Sequence, residues 1–122
     1  IYKIIKKKNK IYQIYLSLFK NSTANSLMQV PDFAINNNWM NIIIFPKKIS
    51  FFKKKKFIDS MEHKRIQVRP VWKLNHLQKG FRGYQAYKVH DSIDLYHRSF
   101  CIPSDINLSE KDIKYIYNNI NE

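Results

Sequence analysis

Ile1, Ile4, Ile5, Ile11, Tyr12, Tyr15, Leu16 and Phe19 recur at intervals of three and four. That spacing draws one apolar stripe along a helix. Lys3, Lys7, Lys10 and Gln13 fall largely on its other side. The turn-formers from Asn21 to Ser26 stop the helix. Its apolar face is wide, and no short connection leads from it to the next element. The expectation is that this helix packs on a surface outside the residues shown.

Leu27 to Val30 reads as a short extended piece, broken by Pro31-Asp32. Trp39 to Phe45 is rich in β-formers and closed by Pro46. Its near-continuous apolarity predicts a strand buried on both faces. Ser50 can cap a helix over about residues 51 to 64, with Phe57, Ile58 and Met61 inward. Ile66-Gln67-Val68 predicts a strand that ends at Arg69, because Pro70 cannot donate to a ladder. Gly80-Phe81-Arg82-Gly83 predicts a turn. Ala86, Val89, Ile93 and Tyr96 predict a helix over Tyr84 to His97. Phe100-Cys101-Ile102 is a third strand, stopped by Pro103. Ser109-Glu110-Lys111-Asp112 has the form of a capping box, and Ile113, Ile116, Tyr117 and Ile120 follow as an apolar stripe. Helices and strands alternate. The fold class is therefore α/β, in the two-layer α+β sense, with helices covering a short sheet.

Composition narrows the picture only a little. A chain of 122 residues with 44% hydrophobic residues can bury one modest core and is not disordered by composition. Its single cysteine, Cys101, excludes an internal disulfide framework and fits a reducing, cytoplasmic setting. No apolar run approaches the roughly 20 residues that cross a bilayer. The chain opens on Ile1 rather than Met, which reads as a fragment or a processed start.

Charge admits a second class of function. Lys+Arg 22 against Asp+Glu 9 gives +13, a balance that would suit a polyanionic partner. The charge, however, sits in short runs, Lys6-Lys7-Lys8 and Lys53-Lys54-Lys55-Lys56, in a chain that is also rich in Asn and Ile. Solvated helix faces account for such runs without any ligand, so nucleic acid is the less favoured partner.

Candidate chemistry concentrates in residues 69–78. Arg69 offers a two-pronged donor for a phosphate or carboxylate. Lys73 is a mobile point charge. Trp72 and His76 can stack on a flat ring or a sugar face. Gln78 can donate and accept at once. The bland alternative has Trp72 plugging the core, His76 bonded to backbone and Arg69 paired with a carboxylate such as Asp59. Elsewhere, His63, His76, His90 and His97 lack the spacing of a zinc site, so no metal is expected. Cys101, between Phe100 and Ile102, reads as a small buried hydrophobe rather than a nucleophile. With only Gly80 and Gly83, there is no Gly-rich phosphate loop.

Five segments, in order, resemble the C-terminal portion of the DegT-like nucleotide-sugar aminotransferases, in the branch that makes legionaminic-acid-type amino sugars. They are the Lys-rich first helix, Asn38 to Ile43, Phe57 to Pro70, His76-Leu77-Gln78, and Arg98 to Ser104 with Leu108-Ser109-Glu110. Lys79-Gly80-Phe81 departs from the family, which often has proline soon after the glutamine. The resemblance implies a small C-terminal domain at residues 26–122, reached through a linking helix at 1–25. It implies pyridoxal phosphate as the cofactor of the whole enzyme, held upstream together with the Schiff-base lysine, so that no catalytic residue lies in this chain. It further implies a nucleotide-sugar substrate, an amino-acid donor and a homodimer. Arg69, Trp72, Lys73, His76 and Gln78 would face the substrate. The rival readings are a standalone basic module for nucleic acid and a non-catalytic remnant of a split gene.

Overall fold

The computed structural model describes residues 1–122 and holds four helices and a four-stranded antiparallel sheet. The helices are α1 (Tyr2–Phe19), α2 (Phe51–His63), α3 (His90–Arg98) and α4 (Glu110–Asn121). The strands are β1 (Ser26–Leu27), β2 (Asn41–Ile44), β3 (Arg69–Pro70) and β4 (Ser99–Ile102), in the spatial order β1-β2-β4-β3. The expected mixed fold, helices over a short sheet, is the observed one.

Ile43 stands opposite Phe100 in the β2–β4 register, and both are fully buried. They join Ile11 and Tyr15 of α1, Met61 of α2, and Ile113, Ile116 and Ile120 of α4 in one core. Residues alternate faces along a strand. Ile42, Ile44 and Cys101 therefore turn to the other side of the sheet, and Arg69, the register partner of Cys101, turns with them. The two isoleucines are only half-buried there. The expectation of a strand buried on both faces holds only in part: the helices cover one face far more fully.

The first helix also differs from expectation. Ile11, Tyr12, Tyr15 and Phe19 are buried within this chain, in part against α4, while Ile1, Tyr2 and Ile4 remain exposed. The stripe finds its partner at its C-terminal half, because α4 supplies a matching one.

Two further boundaries moved. The ladder expected at residues 66–68 lies at Arg69–Pro70, where Arg69 pairs with Cys101 and Pro70 with Phe100. Because β3 is an edge strand, the missing proline N–H costs no sheet bond. Ile66 and Val68 are buried instead by the route the chain takes out of α2. There Arg65 adopts a left-handed conformation (φ 58°) and donates to the Glu62 carbonyl at 2.8 Å, while Ile66 donates to that of Met61 at 2.9 Å. These are the two bonds of a Schellman stop. The helix expected over residues 84–97 begins only at His90. Lys88, at φ 48°, breaks the helical path, and Tyr84 and Tyr87 lie exposed, so no packing rewards a longer helix.

The two capped helix starts read from sequence, at Ser50 and Ser109, hold. Ser50 accepts from the Lys53 N–H, and Ser109 and Asp112 form the reciprocal capping box.

Candidate functional site

The end of the sheet where β2 begins and β4 stops carries an open cavity of about 400 Å³. Arg69 reaches it from β3, Lys8 from α1, Trp39 from the turn before β2, and Ser104 and Asp105 from the turn after β4. Antiparallel pairing gathers these distant segments, since Asn41 is opposite Ile102 and Arg69 opposite Cys101.

Hydrogen bonds fix the rim. Lys8 Nζ donates to the Ser104 carbonyl, with Ser104 Oγ at 3.4 Å, and Ser104 Oγ in turn donates to the Trp39 carbonyl at 2.6 Å. Tyr15 Oη donates to the Pro103 carbonyl at 3.0 Å. Asp105 accepts the Asn107 N–H at 2.8 Å, which ties its carboxylate to its own turn. Arg69 enters no ion pair; the three that exist are Lys48–Asp94, Lys64–Glu122 and Arg98–Asp94. Burial pushes the Cys101 thiol pKa up, and the facing Arg69 guanidinium partly opposes that shift. Cys101 therefore stays a protonated, inert wall of the cavity.

The five residues singled out in the sequence are not gathered into one pocket. Arg69 lines the cavity. Trp72 is 60% exposed and leans on the 62% exposed Trp39, with ring centroids 6.0 Å apart and planes 33° apart. It stands beside the cavity, in contact with Trp39 but outside the lining itself. Lys73 is exposed, and its carbonyl accepts from Gln78 Nε2 at 2.9 Å. Gln78 also donates to Asn75 Oδ1 at 3.3 Å, so its carboxamide braces the loop. His76 sits in a one-turn 3₁₀ segment, Asn75–Leu77, with Nε2 buried and unpartnered. A buried ring nitrogen without a partner is costly unless something outside this set of atoms supplies one.

Sequence reading passed over Lys8, Trp39 and Ser104. Lys8 was hidden in a lysine run. The available signal for Trp39 was an indole two residues before the core strand β2, mirroring Trp72 two residues after the edge strand β3. The lysine runs are also not uniformly solvated. Lys54, in the second run, is buried; its ammonium donates to the Tyr96 carbonyl and lies 4.9 Å from the Tyr96 ring and 5.4 Å from that of Phe100. Burial lowers its pKa.

Pyridoxal phosphate requires a lysine for its aldehyde, a partner for its ring nitrogen and donors for its phosphate. The lysine with a lowered pKa, Lys54, is engaged by a backbone carbonyl and two aromatic rings, and no carboxylate pairs with it. Among the cavity's lining residues, Lys8 is bonded to Ser104 and Asp105 to its own turn. Neither lysine is free to take the aldehyde, and no carboxylate on the cavity rim is free to face the ring nitrogen. Nor does any group of three His, Cys, Asp or Glu side chains stand close enough to hold a metal ion. No helix is long and apolar enough to cross a membrane.

Residues 1–121 match the model of the DegT/DnrJ/EryC1/StrS aminotransferase family. Among solved structures, the fold is similar to that of the sugar aminotransferase CalS13 from Micromonospora echinospora, with TM-score 0.79 at 13% identity over 98% of this chain and 30% of that one. It is similar to PseC from Helicobacter pylori, an aminotransferase of pseudoaminic acid biosynthesis, with TM-score 0.78 at 17% identity over 95% of this chain and 31% of that one. It is also similar to DesI, solved in the presence of its TDP-sugar product, with TM-score 0.78 at 12% identity over 98% of this chain and 31% of that one. At such identities the likeness is one of fold. The chain spans about three-tenths of the length of these proteins and corresponds to the C-terminal part of their fold.

Proposed function

This chain belongs to the DegT/DnrJ/EryC1/StrS aminotransferase family, and from that membership we propose that it serves as the small C-terminal domain of a pyridoxal phosphate-dependent sugar aminotransferase. The enzyme takes an amino group from an amino-acid donor, glutamate, and passes it to a keto carbon of a hexose carried on a nucleotide. The product is an amino sugar for surface-polysaccharide synthesis, of the legionaminic-acid type. The observation that carries this reading is the family match over residues 1–121, joined to a cavity lined by Lys8, Arg69 and Trp39. The cofactor supplies the electron sink when bound, and a separate cofactor-binding part holds it. Residues 1–25 lead from that part, and residues 26–122 close one side of the cleft. The working enzyme is a cytoplasmic homodimer.

The residues of this chain bind and orient. Arg69 and Lys73 meet phosphate, Trp72 and His76 meet the ring faces, and Gln78 holds the loop that presents them. A hydrogen bond to a charged ligand group contributes about 1.5–3 kcal/mol, enough to select a nucleotide-linked sugar over a free one. To test the reading, the complete translation product of the gene is supplied with glutamate and a nucleotide-linked keto hexose. Release of the donor's keto acid beyond one equivalent per cofactor should require the sugar nucleotide. Release that is indifferent to the sugar nucleotide, or none at all, would overturn the proposal.

A further inference from the structure

Phe51 and Phe52 open α2, and both stand in solvent, 85% and 76% exposed. Neither belongs to the core or packs against it. They sit inside a basic stretch, in which Lys47, Lys48, Lys53, Lys55 and Lys56 are all exposed. The helical turn sorts these residues by side. Lys54, Phe57 and Met61 face inward, Phe52 and Lys56 stand opposite them, and Phe51, Lys53 and Lys55 lie on the flanks.

The charge of this stretch is nearly uncompensated. Of its exposed lysines only Lys48 meets a carboxylate, that of Asp94 at 3.7 Å, and Asp94 is held more closely by Arg98, at 2.6 Å. The acids of α2, Asp59 and Glu62, come after the last lysine of the run. Solvation accounts for lysines on a helix face. It does not account for two adjacent phenyl rings among them, because exposed apolar area of that kind costs free energy in water.

The place of α2 in the fold keeps this surface open. Phe57 meets Phe100 at 4.8 Å between centroids, so α2 lies on the helix-covered face of the sheet. The barer face, with Ile42, Ile44 and Arg69, is the opposite one. A further part of the enzyme seated on the barer face leaves the outer side of α2 in solvent.

We propose that the start of α2 is a docking surface for an anionic lipid bilayer. Phe51 and Phe52 enter the headgroup layer, and Lys47, Lys48, Lys53, Lys55 and Lys56 meet the lipid phosphates. Basic clusters of this size are drawn to anionic leaflets, and aromatic rings among them add apolar burial at the interface. Nucleic acid would serve the lysines equally well, but a lipid layer also takes both rings. The docking is peripheral, in keeping with helices too short or too polar to cross a membrane. It stands apart from amino-group transfer, and neither result decides the other.

The complete translation product of the gene is mixed with sucrose-loaded vesicles and sedimented. One set of vesicles has equal parts phosphatidylglycerol and phosphatidylcholine; the other is phosphatidylcholine alone. Binding to the anionic set should be at least about tenfold tighter and should weaken as salt is raised. Phe51→Ser combined with Phe52→Ser should weaken it about tenfold, with far-ultraviolet circular dichroism unchanged. Lys53→Gln, Lys55→Gln and Lys56→Gln together should weaken it roughly a hundredfold. Lys3→Gln, Lys6→Gln and Lys10→Gln together remove the same charge from exposed positions of α1 and should change it little. Equal binding to both vesicles, equal losses in the two lysine sets, or full binding by a folded phenylalanine variant would overturn the proposal. Should the phenylalanine variant lose its helical signal, the two lysine sets decide alone. Displacement from the vesicles by polyuridine, at a lower phosphate concentration than the vesicles present, would assign the surface to nucleic acid and also overturn it.

Discussion

Tyr15, in the C-terminal half of α1, donates its hydroxyl to the carbonyl of Pro103, just past the end of β4, at 3.0 Å. The bond joins the first helix to the strand that forms the cavity floor. The Tyr15 side chain is fully buried. Tyr15→Phe should therefore cost about 0.5–1.5 kcal/mol, the net worth of one such bond, read from urea unfolding. Burial, and then the Asp112 carboxylate, push the phenol pKa up. A raised folded value gives stability that is complete below the unfolded pKa near 10 and lost as pH rises toward the folded one. Wild type should thus lose stability above about pH 10 faster than Tyr15→Phe does. Parallel alkaline limbs would contradict the buried phenol.

Phe100 is fully buried between Phe57, at 4.8 Å between centroids, and Phe45, at 5.4 Å. Phe100→Ala should cost about 3–5 kcal/mol, as large core truncations do, and shift the urea midpoint accordingly. A loss below about 1 kcal/mol would mean that the β4 face is not the core.

At the start of α4, Ser109 Oγ accepts the Asp112 N–H at 3.2 Å and Asp112 Oδ2 accepts the Ser109 N–H at 2.8 Å. Ser109→Ala should cost roughly 0.5–2 kcal/mol. The Ser109 side-chain and backbone donors also hold the Asp112 carboxyl below its ordinary pKa. A depressed folded value gives stability that is present above the unfolded pKa near 4 and lost as pH falls through the folded one. The acid limb of unfolding should be shallower in Ser109→Ala than in wild type. An unchanged limb would remove the carboxylate from the cap.

Those caps were legible in the sequence because capping is local: the hydroxyl and the amide it serves are three residues apart. The stripes of α1 and α4 were legible for the same reason, through periodicity. Where the partner of α1 lies was not legible, since it depends on α4, almost a full chain length away. The ladder at Arg69–Pro70 was missed because edge or interior position decides whether proline is tolerated, and sheet order is not a local property. The early start assigned to α3 followed apolar spacing across Tyr84 to Val89, where no core exists to bury it. At the site, the loop chemistry of Arg69 and Trp72 stood out in the sequence. Their neighbours Lys8, Trp39 and Ser104 did not, because only antiparallel pairing brings those segments together.

His76 presents a buried, unpartnered Nε2. In the complete gene product, His76→Ala should lower the specificity constant for the sugar nucleotide about ten- to a hundredfold, the worth of about 1.5–3 kcal/mol, with cofactor binding unchanged. Steady-state kinetics beside a cofactor titration decides it. Wild-type kinetics with a melting temperature lowered by several degrees would make the histidine a structural residue.

The most direct measurement is the fate of the donor's nitrogen. The complete translation product of the gene is incubated with glutamate carrying an isotopically labelled amino group and with a nucleotide-linked keto hexose, and the sugar nucleotide is examined by mass spectrometry. The account predicts labelled nitrogen in the hexose of the intact sugar nucleotide, and none when the 122-residue chain is supplied alone. Label that never enters the sugar, with the protein folded and the cofactor bound, would contradict it.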